Sequence, residues 1–380
     1  MKILLFGEYS NVHHTLCEAL RRAGHEVLLI SDGDGWKDYP RDIDLRRRFA
    51  GPFGSLLYVA KLQTLLPRLK GFDVVQLINP DYMYLKPRWN RWLFDYLKRH
   101  NRMVSLGCFG DDYYVVSRMQ SNEYLDYTDF FAHGQVIDHP LNQHRIKNWC
   151  ESPKKELSQY IAAKADCLLA CLYEYYKVYD TPEFQQKLHY MPLPVEPREI
   201  KTHVESSLVD SSPVESSPVR ILLAVQSKRA LAKGTDQIGK LLQRLAQEHP
   251  AEIELHTIES VPFEQYCQEI EKADVIVDQL YSYTPAMTAL EAMSRGKVVI
   301  SGGEKYELEG ISYQAPCINL RPFEEEENYH ILEETLLDAK KIAQLSKDSQ
   351  AYIRQCHAAD DVARKCVEIW SRYSSQASSR

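Results

Sequence analysis

The chain has 380 residues, 44% hydrophobic and 26% charged, with a formal net charge of −7. That length exceeds one typical core and predicts two domains, the composition is ordinary for a globular protein, and the acidic balance argues against nucleic acid as a general partner. No apolar run approaches the roughly 18–20 residues of a membrane span, and MKILLFGEYS runs straight into strand-like sequence where a signal peptide would carry a longer apolar core.

The first predicted strand is KILLFG, ending at Gly7. Ser10 is placed to cap a helix whose apolar face is Val12, Leu16, Ala19, Leu20 and Ala23, and Gly24 closes it. The strand HEVLLIS follows at once, so the natural product is a parallel sheet. DGD at residues 32–34 mimics a metal-binding DxD, but it follows the second strand beside Gly33 and Gly35 and reads as a turn. Residues 51–71 mix leucines with Lys61, Arg68 and Lys70. This pattern fits a core-packed helix with a basic outer face or a helix lying on a membrane surface. Further strands are DVVQLINP, RMVSLGCFG, DCLLACL and KLHYMPLPV.

Residues 1–195 carry 25 Lys and Arg against 23 Asp and Glu, a net +2, and the remainder carries 21 against 30, a net −9. The basic excess lies in the first half, notably at Arg46, Arg47, Arg48, Lys61, Arg68 and Lys70. Nine scattered cysteines form no CxxC pair, and Cys167 and Cys171 lack a matching second pair, so no zinc site is expected and the thiols read as reduced, in a cytosolic protein.

The stretch at residues 192–219 is rich in Pro, Ser and Glu and partly repeats itself as SSLVDSSPVESSPV. It cannot bury enough apolar surface to offset its ordering entropy, and it reads as a linker. A second strand-helix-strand start follows in RILLAVQ, a helix over Thr235–Glu248 and a strand at 253–258, then DVIVDQL, KVVISGG and CINL. From about Glu324 the chain is helical and charged. The pattern predicts two α/β domains of comparable size facing a cleft.

Between the buried strands DVIVDQL and KVVISGG lies a short helix. Thr284 and Pro285 suit its start, Ala286, Ala289, Leu290 and Met293 form its inner face, and Gly296 stops it. Ligands of open parallel sheets sit beyond the carboxyl ends of the strands. The free N–H groups around Ala286, Met287 and Thr288 therefore suit a phosphate. Glu291 shares their face and leans back toward it. A carboxylate there can accept two hydrogen bonds from ribose hydroxyls; the plainer reading is a solvated helix glutamate. After RILLAV, the loop QSKRALAKG presents Lys228, Arg229 and Lys233, which can neutralise a diphosphate as it departs.

Together these motifs resemble glycosyltransferase family 4, the group-1 transferases of two Rossmann-like domains, the GT-B fold. In that family a basic pair, an Arg and the Lys of a KG dipeptide, binds the donor pyrophosphate, and the match is Arg229 with Lys233-Gly234. A second family motif ends in a phrase like LEAMSRG, so Glu291 matches the glutamate that binds the ribose, while the position of the family's first glutamate is Tyr283. The resemblance places Gly7, in a loop after the first strand, near donor and acceptor. The family's N-terminal histidine falls at Phe109. That leaves Asp111, Asp112, His13 and the neighbouring His14 as candidates for catalytic contact; Asp111 and Asp112 also read as turn-capping residues.

The resemblance implies an acceptor domain over residues 1–195, a linker over 196–219, a donor domain over 220–350, and a final helix over 351–380 crossing back to the N-terminal domain. It implies transfer of a sugar from a nucleotide-diphosphate donor to a saccharide or lipid-linked acceptor, with retention, without metal and with no cofactor. The cysteine usage points to a cytoplasmic protein, and the stretch at residues 51–71 adds peripheral contact at the inner membrane face as a further expectation. Two alternatives stand beside it: a nucleotide-sugar epimerase on the same fold, and a non-catalytic nucleotide-sugar binder. A dehydrogenase is disfavoured because neither strand-helix start carries GxGxxG.

Overall fold

The computed structural model describes residues 1–83, 85–198, 217–225, 229–259, 261 and 263–377. In chain order the elements are β1 (Lys2–Phe6), α1 (Val12–Arg22), β2 (Glu26–Ser31), β3 (Ile43–Asp44), α2 (Gly51–Leu65), β4 (Val74–Leu77), α3 (Pro87–His100), β5 (Met103–Cys108), α4 (Tyr113–Arg118), β6 (Phe131–Ala132), β7 (Gln135–Val136), α5 (Pro140–Trp149), α6 (Lys154–Lys164), β8 (Cys167–Ala170), α7 (Tyr173–Tyr179) and β9 (Leu188–Tyr190). There follow β10 (Val219–Val225), α8 (Ala230–Lys233), α9 (Thr235–Glu248), β11 (Ile253–Glu259), α10 (Phe263–Lys272), β12 (Val275–Val277), α11 (Met287–Ser294), β13 (Val298–Ile300), β14 (Tyr306–Leu308), β15 (Ile311–Tyr313), α12 (Glu325–Leu336), α13 (Ala339–Tyr352) and α14 (Ala359–Ala377). Most of the linker read from residues 196–219 lies outside the described residues.

The chain forms two compact units: Met1–Asp126 with Asn142–Pro194 and His357–Arg380, and Tyr127–Leu141 with Val195–Cys356. The first is built on a seven-stranded sheet in the order β3-β2-β1-β4-β5-β8-β9. Every pairing in it is parallel; Ile3 of β1, for example, faces Val27 on one side and Val74 on the other. Parallel neighbours need a crossover, and helices supply it. The helices cover both faces, which is why these strands read as unbroken apolar runs. α14 packs along α1, burying Val362, Ala363, Cys366, Ile369 and Trp370.

The second unit holds a parallel sheet in the order β11-β10-β12-β13, extended by a bridge from Ile300 to Ile318. Its core joins Ile221, Leu223, Val277 and Ile300 of the strands to Ile238 and Leu242 of α9 and Leu332 of α12. Tyr127–Leu141, with its small antiparallel pair β6-β7, belongs to this unit although it interrupts the sequence of the first.

Three local expectations need correcting. Ser10 does not cap α1: it has φ 51°, and the Glu8 carboxylate takes the first-turn N–H groups of His13 and His14. Thr284 does not cap α11, whose N-cap is Ala286. The final helix does not run unbroken from Ala351, because a π turn at Ile353–His357 separates α13 from α14. Among the described residues no helix is long and apolar enough to cross a membrane.

Candidate functional site

In the second unit two loops meet at the carboxyl ends of neighbouring strands. After β10, residues 226–228 lie outside the described residues, and with them the cation at Lys228. Arg229 then caps α8 and is exposed; no hydrogen bond or ion pair engages its guanidinium among the described residues. α8 ends at Gly234, whose φ of 68° is left-handed. A Cβ on Gly234 would lie 2.6 Å from Leu280 Cβ, so only glycine admits the loop after β12 this closely.

That close approach is fastened by two bonds. Leu280 N–H donates to the Lys233 carbonyl at 2.7 Å, and Lys233 Nζ donates to Asp278 Oδ1 at 2.8 Å. The Asp278 side chain is fully buried, and its Oδ2 has no partner among the described residues. A buried carboxylate without its cation is costly, so Asp278 fixes where the ammonium sits. Sequence reasoning missed Asp278, although the aspartate closing the apolar run VIVDQL is its signal.

The β12 loop leads to α11, whose N-cap residue, Ala286, has no side chain that could cap it. The N–H groups of Met287, Thr288 and Ala289 lie in its first turn, where a helix leaves donors free for an anion. Ala286, Met287 and Thr288 are half-buried. Glu291, on the same helix, accepts from Arg198 Nη2 at 2.8 Å and Arg295 Nη2 at 2.7 Å. Both bonds end on Oε1, and Oε2 accepts none among the described residues. Glu291 is therefore an ion-paired carboxylate, and neither arginine was foreseen.

Tyr283 is buried and stacks on Tyr127 with ring centroids 4.6 Å apart at 18°. Its hydroxyl accepts from the Tyr127 N–H at 3.2 Å. Tyr127 Oη in turn donates toward Glu304 Oε1 at 3.3 Å, and Arg321 holds both Glu304 oxygens at 2.9 and 3.0 Å. These bonds keep the Glu304 carboxyl below its ordinary range, against the upward pull of its burial. The Glu304 N–H also donates to the Tyr283 carbonyl at 3.1 Å, so this carboxylate neighbours the tyrosine that stands where the resemblance expects one.

The candidates in the first unit are more deeply engaged. Gly7 has φ 91°, and a Cβ on it would lie 2.2 Å from Ile78 Cγ2. Its carbonyl accepts from His13 Nδ1 at 2.8 Å. His13 is wholly buried, edge-on to Phe109 at 6.2 Å, and burial pushes its pKa down to about 4. Burial therefore keeps this imidazole neutral near pH 7 and packs it in the core of the first unit. Asp112 is buried as the N-cap of α4, accepting from Val115 N–H at 2.9 Å and Tyr179 Oη at 2.6 Å. Burial raises it to about 6. The turn-capping reading of Asp112 describes these bonds. Asp111 is clamped by Arg145 at 2.6 and 2.7 Å. His14 Nδ1 lies 3.1 Å from Asn11 Oδ1.

Glu8, which sequence reasoning passed over, is buried beside these groups and pushed up to about 8 by desolvation. The DGD stretch forms a left-handed turn at Gly33 and Asp34, and Asp34 accepts from the Ser10 N–H at 2.8 Å. Among the described residues one trio, Glu248, His249 and Glu333, brings possible metal-ligand atoms within 4.8 Å. It lies at the far end of α9 from Gly234, where Tyr329 donates to Glu248 and His249 contacts Glu333.

No protein-family model matches the sequence, and no curated protein matches it. Solved structures do. The catalytic domain of starch synthase IV from Arabidopsis thaliana, bound to ADP and acarbose, has a TM-score of 0.60 at 12% identity, over 99% of this chain and 99% of that one. Sucrose-phosphate synthase from Thermosynechococcus elongatus has 0.56 at 13% identity, over 98% and 99%. Anabaena Alr3699/HepE in complex with UDP-glucose has 0.56 at 12% identity, over 98% and 100%. At such identities the likeness speaks to architecture. The chain has the GT-B fold, with two Rossmann-like units.

Proposed function

We propose that the protein transfers a sugar from a nucleoside-diphosphate-sugar donor to a saccharide or lipid-linked acceptor. One observation carries this reading: Lys233 and Gly234 are fastened to the loop that leads to the amino end of α11. The GT-B fold supports it. In this reading the diphosphate lies at the first-turn N–H groups of α11, Arg229 and Lys233 neutralise it, and the ribose hydroxyls donate to Glu291. Tyr283 lines the sugar side.

The bond from the anomeric carbon to the diphosphate oxygen breaks, and the diphosphate leaves with the electron pair. The guanidinium, the ammonium and the helix end stabilise that charge most as it develops, which is the work a metal does elsewhere. The acceptor oxygen forms the new bond, and its proton passes to the departing phosphate. Attack from the leaving group's own face gives retention. His13 and Asp112 are engaged in the fold and need take no part.

A donor-binding protein without turnover is the second reading. It is favoured by Tyr283, held against Tyr127 where the resemblance expects a carboxylate. A panel of nucleotide sugars separates the two when scored by thermal shift and by release of free nucleotide with mixed acceptors. Glu291→Gln and Arg229→Ala should each weaken the best donor by about tenfold or more, the weight of a hydrogen bond to a charged group. Wild-type affinity in both variants overturns the site. A thermal shift with no nucleotide release under any acceptor selects the second reading. Product stereochemistry follows from the anomeric coupling constant by NMR, and an unchanged rate in EDTA is the expected sign of metal independence.

A further inference from the structure

We propose that the outward face of α2, with the adjoining aromatic face of α3, docks the protein onto an anionic lipid surface. The inference uses no residue of the donor site and stands or falls apart from glycosyl transfer.

α2 carries two apolar stripes on opposite faces. Gly54, Tyr58, Leu62 and Leu65 are buried and hold the helix to the first unit. Phe53, Leu56, Leu57 and Ala60 repeat at i, i+3, i+4 and i+7 on the other side, and all four are exposed. Phe53 is 65% and Leu56 66% exposed, with Phe49 at 56% just before the helix. A helix packed only against its own core keeps polar residues outside. A contiguous apolar outer stripe marks a surface that something covers.

α3 meets the chain at the carboxyl end of α2 and adds exposed aromatic rings to this unit. Trp89 and Trp92 are exposed, Trp92 stacks on Tyr96 at 6.0 Å, and Tyr96 Oη donates to the Leu66 carbonyl at the end of α2. Tryptophan with one wet and one apolar side suits the membrane interface.

Charge selects the occupant. Residues 46–102 hold 12 Lys and Arg against 3 Asp, a net +9, in a chain of net −7. Arg68, Lys70 and Arg88 have no carboxylate partner among the described residues, whereas Arg47 and Lys61 bond backbone carbonyls and Arg91 lies over the Tyr160 ring. Long cations flanking an apolar stripe can lay their stems on it and reach lipid phosphates. A second copy would set one strongly basic face against another, which opposes pairing.

The test uses the full chain, sedimented with phosphatidylcholine vesicles and with vesicles containing one third phosphatidylglycerol, without donor. We expect binding to the anionic vesicles at least tenfold stronger than to the neutral ones, and weakened by high salt. Phe53→Ser, Leu56→Ser and Leu57→Ser together should reduce it at least tenfold with an unchanged melting temperature, since all three side chains face water. Failure of the wild type to bind anionic vesicles overturns the proposal. So does equal binding by the triple variant, or a dimer that the triple variant dissociates while neither protein binds vesicles.

Discussion

Glu8 sits where two demands conflict. Its oxygens accept the His13 and His14 N–H groups, which favours the carboxylate, while burial raises its pKa to about 8 from the ordinary 4.5. Between those values the folded chain holds a proton that the unfolded chain has released, so stability falls as pH rises through the window. Asp112, raised to about 6, acts in the same direction at lower pH. His13 and His357 act oppositely: burial lowers both to about 4 from 6.5, so their contribution is complete above pH 6.5 and is lost as pH falls toward 4. The opposing pairs largely cancel between about 4.5 and 6, and above 6.5 Glu8 is the main titrating group of the four. Urea unfolding should show stability declining from pH 6.5 to 8. Glu8→Gln, which mimics the protonated group, should flatten that limb and raise stability at pH 8 by about 2–4 kcal/mol. An unchanged slope in the variant would rule out Glu8 as its source.

Among the elements, the β1-α1 turn is the most constrained that the sequence suggested. Gly7 combines φ 91° with a Cβ position 2.2 Å from Ile78, whereas Gly24, closing α1 at φ 85°, has open space around it. Gly7→Ala should cost about 2–4 kcal/mol through strain and overlap together, and Gly24→Ala only about 1–2 through strain. Chemical denaturation ranks the two, and equal losses would show that the contact with Ile78 relaxes freely. The central strands were legible for a physical reason: β1, β4, β5, β8, β12 and β13 are buried along nearly all their length and read as apolar runs. The two-residue β3, β6 and β7 are too short to carry a period. The α9 boundaries were equally plain, since Gly234 and Thr235 mark its start. Of the candidate site, the KG turn and the α11 phrase were visible because their signals are local. The capping by Glu8, the pairing of Lys233 with Asp278 and the clamp of Arg198 and Arg295 on Glu291 were not. Lys233 with Asp278 and Arg198 with Glu291 are distant in sequence and meet only in the fold; Arg295 shares a helix register that offered several partners, and Glu8 caps N–H groups five and six residues on, beyond the usual N-cap spacing.

At the scale of the whole molecule, the first unit depends on a helix that arrives late in the chain. Trp370 of α14 is fully buried, and its indole N–H has no hydrogen-bond partner among the described residues. Trp370→Ala should cost about 3–5 kcal/mol through the cavity it opens. Trp370→Phe should recover much of that loss, because it keeps an aromatic ring and removes the orphan donor. Equal destabilisation by both would show that the ring contributes little. The route of the backbone extends this dependence. It leaves the first unit at Asp126, returns at Asn142, leaves again after Pro194, and re-enters at His357. On the ribosome, the polypeptide of the second unit must therefore emerge before α1 can meet its partner helix. Until then the nascent first unit leaves uncovered the apolar side of α1 on which α14 will pack.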